Sequence, residues 1–153
     1  MQFLFMDFEL SERLAKGGFD FGSYQGCRVL LKNNAHYPWF VIVPEVGENV
    51  EELTDLSVDQ YDSVMNLVHS LSVFIKENFN LKKVNLGCVG IVVKQLHLHV
   101  VGRHEGDPAW PGVVWGSSEK SAYSELEVEG IKSKFVANVL MGLFGEITST
   151  SNQ

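Results

Sequence analysis

Gln95-Leu96-His97-Leu98-His99-Val100-Val101 alternates polar and apolar side chains. In an extended strand Gln95, His97 and His99 therefore share one face, and Leu96, Leu98 and Val100 the other. The apolar row belongs to a core. The polar row, its members about 7 Å apart, faces a cleft or water. Imidazole titrates near neutrality, so two on one face can divide the work of nucleophile or base from that of acid or phosphate ligand. The spacing alone leaves two other readings open. Paired histidines on a strand can be solvent-facing residues without a task, or they can chelate a metal, with His104 as a further donor. Gln95 donates and accepts hydrogen bonds but does not titrate.

These residues need a sheet to carry them. A short helical segment at 11–16 ends at Gly17-Gly18, and Phe19, Phe21 and Tyr24 then alternate as a strand. Tyr24-Gln25-Gly26 is a turn, 27–32 a second strand, 33–38 a loop and 39–43 a third strand stopped by Pro44. From 57 to 80 the period changes. Tyr61, Val64, Met65, Val68, Leu71 and Ile75 fall at helical spacing behind a capping box of Ser57 and Gln60. Two more strands follow at 83–89 and 95–102, joined around Gly90. The Asp107-Pro108-Ala109-Trp110-Pro111-Gly112 segment is irregular, because its prolines lack a donor and fix φ. A capping box of Ser124 and Glu127 opens a last helix to about Phe144, with Leu126, Ile131, Phe135, Val139 and Leu143 as its apolar positions. A meander, a helix and more strands make an α+β fold: an antiparallel sheet of about five strands, one long helix, a short N-terminal helix and a C-terminal helix. A single domain at 1–147 is expected, with a polar tail at 148–153 that frays.

The chain has 153 residues, 45% of them hydrophobic and 20% charged, which suits one packed core. Its net charge of −7 argues against a nucleic-acid polymer as partner, so an anionic ligand has to find a locally positive pocket. Lys94 and Arg103 flank the histidine strand and are available for that, or are plain surface charges. Cys27 and Cys88 have neither metal-knuckle nor redox-pair spacing and read as free thiols, consistent with a reducing cytoplasm. The apolar start Met1-Gln2-Phe3-Leu4-Phe5-Met6-Asp7 has no basic leader and reads as structure rather than as a signal peptide. With no run of 18 apolar residues, no membrane partner is expected.

His97-Leu98-His99-Val100-Val101-Gly102-Arg103 resembles the last two thirds of the His-φ-His-φ-His-φ-φ signature of the histidine triad (HIT) superfamily. The resemblance runs from about residue 25 to 116 in the family's order. Trp39-Phe40-Val41-Ile42-Val43-Pro44 is similar to the strand ending in Ile-Pro or Val-Pro, Asp55-Leu56-Ser57 to the start of the long helix, and Asn85-Leu86-Gly87 to the Asn-x-Gly before the triad. Trp110-Pro111-Gly112 resembles the Trp-Pro after it. Asp-Pro-Ala-Trp-Pro through Val114-Trp115-Gly116 is similar to a bacterial HIT-like subgroup whose motif also begins with Gln.

The resemblance implies a hydrolase or transferase that cleaves a phosphoanhydride or phosphoramidate bond of a nucleotide or dinucleotide substrate (a dinucleoside polyphosphate or a nucleoside phosphoramidate), no required cofactor, and a homodimer in which the long helix and an edge strand pair across a two-fold axis. His97, at the middle histidine, would attack the α-phosphorus, and water would hydrolyse the nucleotidyl-histidine. His99 would hold or protonate the bridging oxygen. Asn85 would hold a phosphate oxygen or the leaving group, or else merely cap its strand. Asn33, or its neighbour Asn34, would take the ribose hydroxyls, although an Asn pair is also ordinary turn chemistry. Trp110 would stack on a base or close over the site, unless it is a packing anchor. His36 and His104 have no role in this scheme. Gln95 stands in place of the first triad histidine, Trp39 where many members carry another histidine, and the stretch from 85 to 95 lacks the Gly-Gln-Ser/Thr phosphate contact. Those departures keep a nucleotide-binding module with weak or no catalysis as the alternative, and a metal site on His97 and His99 as a second one.

Overall fold

The computed structural model describes residues 8–149; the N-terminal heptapeptide and tail residues 150–153 lie outside it. Five strands, β1 (Gly18–Tyr24), β2 (Cys27–Lys32), β3 (Trp39–Pro44), β4 (Lys83–Gly87) and β5 (Leu98–Arg103), form one antiparallel sheet in the order β1-β2-β3-β5-β4. Helix α1 (Glu12–Lys16) precedes the sheet, α2 (Val58–Asn78) links β3 to β4, and α3 (Glu125–Ser149) ends the described chain. This is the α+β architecture expected.

The sheet has two differently used faces. Val29, Leu31, Phe40, Ile42, Leu98 and Val100 project to one side and bury against Val64, Leu67, Leu71, Phe74 and Ile75 of α2. Those helical positions recur every three or four residues, so one stripe of α2 meets the sheet. The helix starts where Ser57 Oγ accepts from the Gln60 amide and Gln60 Oε1 accepts from the Ser57 amide. Helix α3 begins with the same device, Ser124 and Glu127, and sends Phe135 into the core, its ring centroid 5.9 Å from that of Phe40. Of its other expected apolar positions, Ile131 packs partly on the core and Leu126 is exposed; the side chains of Val139 and Leu143 lie outside the description. In β1 the register slips between Asp20 and Ser23, with Gly22 at φ +99°, which is why Phe19, Phe21 and Tyr24 all reach the helix side despite their uneven spacing.

The histidine segment departs from its expected span. Pairing with β3 begins at Leu98, opposite Ile42, rather than at Gln95. Before that point the Leu96 amide donates instead to the Val50 carbonyl, 3.2 Å away, and the Gln95 side chain is bound to the N-terminal segment. Likewise β4 stops at Gly87 instead of Val89. Residues 88–97 thus form an irregular connection along one end of the sheet.

The second sheet face carries Leu30, Trp39, Val41, Val43 and Val101, covered by Tyr37, Val114 and, more loosely, Leu14 and Trp115. This smaller cluster is the floor of the site.

Candidate active site

Directly paired residues of neighbouring strands point the same way. The register Leu30↔Val41↔His99↔Gly87 therefore puts His99 on this second face, beside the row Trp39↔Val101↔Asn85. His99 is 7% exposed, and Trp39 Nε1 donates to its Nδ1 across 2.9 Å. An indole nitrogen only donates. His99 Nδ1 is consequently the acceptor, and its neutral ring keeps the proton on Nε2. Burial, then the charges of His97 and Lys32, push the His99 pKa from 6.5 down to about 3, so the ring stays neutral at physiological pH.

His97 has the opposite arrangement. It sits just before β5, 6% exposed, with Nδ1 2.7 Å from the backbone carbonyl of Gln95. A carbonyl only accepts, so Nδ1 carries a proton, and the neutral form of the ring has its lone pair on Nε2. The two ring centroids are 4.9 Å apart. One imidazole offers a lone pair and its neighbour an N–H, which is the pairing a displacement at phosphorus needs.

Both rings line a cavity of about 630 Å³, within the range of about 300–1,000 Å³ typical of small-molecule sites. Arg13, Lys16, Lys32 and Lys120 also line it, and among the described residues no acidic side chain does. The locally positive pocket demanded by a chain of net charge −7 is thus present, built from other cations than those flanking the histidines. Lys94 is not in its wall, and Arg103 is consumed elsewhere. The Arg103 side chain, 3% exposed, donates to Asp107 through Nε and Nη2 at 2.7 and 3.0 Å, to Asn85 Oδ1 at 2.8 Å and to the Gly112 carbonyl at 2.8 Å.

The expected ligand contacts are placed as follows. Asn33 and Asn34 both line the cavity; Asn33 Oδ1 accepts from the Tyr123 amide, while Asn34 bridges the Glu119 carbonyl and the His36 amide. Asn85 shares the sheet face of His99 but is held by Arg103. Gln95 is turned to the N-terminal segment: its Nε2 donates to the Glu9 carbonyl at 2.8 Å and its Oε1 accepts from the Ser11 amide at 2.9 Å. Trp110 packs with its ring 5.7 Å from the Arg103 guanidinium and is outside the cavity wall. His104 Nδ1 accepts from the Gly106 amide. Among the described residues no three His, Cys, Asp or Glu side chains are grouped to hold a metal, and no helix is long and apolar enough to cross a membrane.

Trp115, within Val114-Trp115-Gly116, is a part of the site that the sequence alone does not mark. Its ring lies 5.6 Å from His99 and 6.3 Å from Trp39, and it lines the cavity. A Cβ on Gly87 would fall 2.5 Å from its ring atoms, so the glycine of Asn85-Leu86-Gly87 is what lets the indole lie against the sheet. Lys32 was legible in principle, two residues beyond Leu30 on the His99 face. Arg13, Lys16 and Lys120 carried no signal, because helix and loop approach the site from far along the chain.

The HIT domain family matches residues 20–106, more than half the chain. This chain belongs to the HIT family. A histidine triad protein of Sinorhizobium meliloti is 31% identical, over 86% of this chain and 97% of that one, with a TM-score of 0.82. One of Marinobacter aquaeolei is 36% identical, over 88% and 97%, with the same TM-score. Diadenosine triphosphate hydrolase of Plasmodium falciparum, 16% identical over 88% and 84%, shares the fold at a TM-score of 0.59. No curated protein sequence matches significantly. Arg13, Lys16, Trp115 and Lys120 fall outside the stretch that matches the HIT domain, so the cavity is lined partly by residues beyond it.

Proposed function

We propose that this HIT domain cleaves a nucleotide at its α-phosphorus through His97. The observation that carries the reading is the pair of opposed tautomers: a buried imidazole with a free Nε2 lone pair beside a neutral one with its proton on Nε2. In the first step His97 Nε2 bonds to phosphorus, the bond to the bridging oxygen breaks, and its electron pair leaves with that oxygen. His99 Nε2–H hydrogen-bonds the departing oxygen. The ring of His97 becomes cationic as the N–P bond forms, and the Gln95 carbonyl at Nδ1 stabilises it. Water then bonds to phosphorus as the N–P bond breaks, the electron pair of that bond returning to His97 Nε2 and the proton of the water passing to solvent. Another hydroxyl in place of water would make the same protein a transferase.

The nucleoside occupies the cavity beside Asn33 and Trp115 in this reading. Asn85, Gln95 and Trp110 act from behind, holding Arg103, α1 and the 107–116 loop. That a protein of the same fold is named for hydrolysing diadenosine triphosphate supports a nucleotide substrate. Gln95 in the first triad position makes the chain one of a Gln-bearing group within the family. A homodimer fits the free β4 edge and the exposed Val58, Tyr61 and Val73 of α2; a sedimentation mass of one chain would refute it. The second reading, a nucleotide binder without useful turnover, is favoured by Gln95 and Trp39.

The test is incubation with diadenosine triphosphate and with adenosine phosphoramidate, wild type beside His97→Ala. Cleavage at the α-phosphorus and a nucleotidylated wild-type protein in the mass spectrum are expected, with turnover by the variant reduced by roughly 10³-fold or more. Equal turnover by the variant refutes the nucleophile. Binding of AMP with no turnover of either substrate selects the second reading.

A further inference from the structure

We infer that Arg13, Lys16, Lys32 and Lys120 form a subsite for a leaving group of two or more linked phosphates, and that Gln95 is the positioning residue that holds its α1 side in place. The inference rests on the reading that His97 attacks a nucleotide, and it chooses between a phosphoanhydride, from which a phosphate departs through oxygen, and a phosphoramidate, from which an amine departs through nitrogen. Three observations carry it.

The first is charge. Four cations face one cavity with no carboxylate of the described residues in its wall, in a protein of net charge −7. Lys32 is half-buried over the Trp39 ring, 4.2 Å from its centroid, and its pKa is lowered by burial first and by the charge of Lys120 second. Among the described residues, Arg13, Lys32 and Lys120 make no ion pair, and Lys16 has only a 3.9 Å contact with exposed Glu12. Like charges gathered around a concavity are relieved by an anion of high charge. A polyphosphate supplies one.

The second is the state of His99. Expelling an amine from phosphorus requires a proton on the departing nitrogen, whereas a phosphate leaves as an anion. Trp39 occupies His99 Nδ1, and the neutral ring offers only a hydrogen bond from Nε2. A neutral imidazole is a poor acid at neutral pH, so this site stabilises an anion better than it protonates an amine.

The third is the tether. Arg13 and Lys16 stand on a five-residue helix that is too short to hold itself. Both hydrogen bonds of the Gln95 amide go to the segment entering that helix, one to Glu9 and one to Ser11. The residue in the first triad position therefore acts on the substrate through α1.

Inorganic tripolyphosphate separates this inference from the chemistry, because its binding needs no nucleophile. Calorimetric titration of the wild type is expected to show binding that weakens steeply with salt, and at least tenfold weaker binding by the Arg13→Gln/Lys16→Gln double variant. Both side chains are exposed, so the core is untouched by the change. With substrates, the ratio of kcat/KM for diadenosine triphosphate to that for adenosine phosphoramidate is expected to favour the former in the wild type and to fall at least tenfold in the double variant. Tripolyphosphate that fails to bind, or binds both proteins alike, overturns the inference, as does a wild type that prefers the phosphoramidate. Loss of tripolyphosphate affinity together with full turnover by His97→Ala sinks the nucleophile and leaves the subsite standing.

Discussion

The pH dependence of stability tests whether His99 is held neutral, on which its proposed role as a hydrogen-bond donor depends. Its pKa is 6.5 in an unfolded chain and about 3 in the folded protein, depressed by burial, His97 and Lys32. Between those values the unfolded chain binds a proton that the folded one refuses, so stability falls as pH falls. The loss is about 1.4 kcal/mol per pH unit below 6.5; above 6.5 the group contributes no pH dependence. From pH 7 to 4.5 the integrated loss from this one side chain is about 2.5 kcal/mol. The comparison is His99→Asn, whose amide oxygen can accept the Trp39 N–H where Nδ1 stood but does not titrate. Urea unfolding of both proteins at the two pH values gives the measurement. Carboxylates titrate in both and cancel, and any cost of the substitution itself cancels because each protein is referred to its own pH 7 value. The wild type is expected to lose about 2.5 kcal/mol more than the variant on acidification. Losses equal to within about 0.5 kcal/mol would mean that His99 protonates freely in the fold, and the assignment of its tautomer would fall with it.

Gln95→Leu removes the two amide hydrogen bonds to Glu9 and Ser11. At about 0.5–1.5 kcal/mol each, and with partners able to turn to water, a global loss of about 1 kcal/mol is expected; the sharper readout is faster hydrogen exchange at the Ser11 amide, and unchanged exchange there refutes the tether. Arg103→Met strands Asp107, which is 6% exposed, and strips Asn85 and the Gly112 carbonyl of a donor. Breaking such a buried pair from one side costs about 3–5 kcal/mol, and a loss below about 1 kcal/mol in urea unfolding would show that the network carries little of the stability.

What the sequence shows of this molecule divides by the distance over which its determinants act. Helix α2 is readable residue by residue, because Ser57, Gln60 and a stripe from Val64 to Ile75 are all local. The burial of Leu96, Leu98 and Val100 is readable too, since alternation fixes which side chains turn inward whether or not a ladder forms. The start of β5 is not, because it depends on Val50 drawing off Leu96 and on Glu9 and Ser11 capturing Gln95, contacts that span 46 to 86 positions. Gln95 shows the difference most clearly. By residue type it replaces a titratable imidazole with an amide that only donates and accepts hydrogen bonds, and on that basis it predicts a weakened site. In the fold both ends of its amide are satisfied by backbone of the N-terminal segment.

The two histidines illustrate how little of the chemistry lies in residue type alone. His97 and His99 are the same side chain, two positions apart and almost equally buried, yet their free Nε2 atoms are in opposite states, one a lone pair and the other an N–H. The difference comes from their partners at Nδ1: a carbonyl that can only accept fixes a lone pair on one ring, and an indole that can only donate fixes a proton on the other. Trp39 therefore need not be a loss relative to a histidine at that place. A histidine there would itself exchange protons with His99, and with it the tautomer, whereas the indole N–H holds one arrangement at every pH at which His99 stays neutral. The site exchanges acid–base flexibility for a fixed donor, a trade suited to a leaving group that departs as an anion.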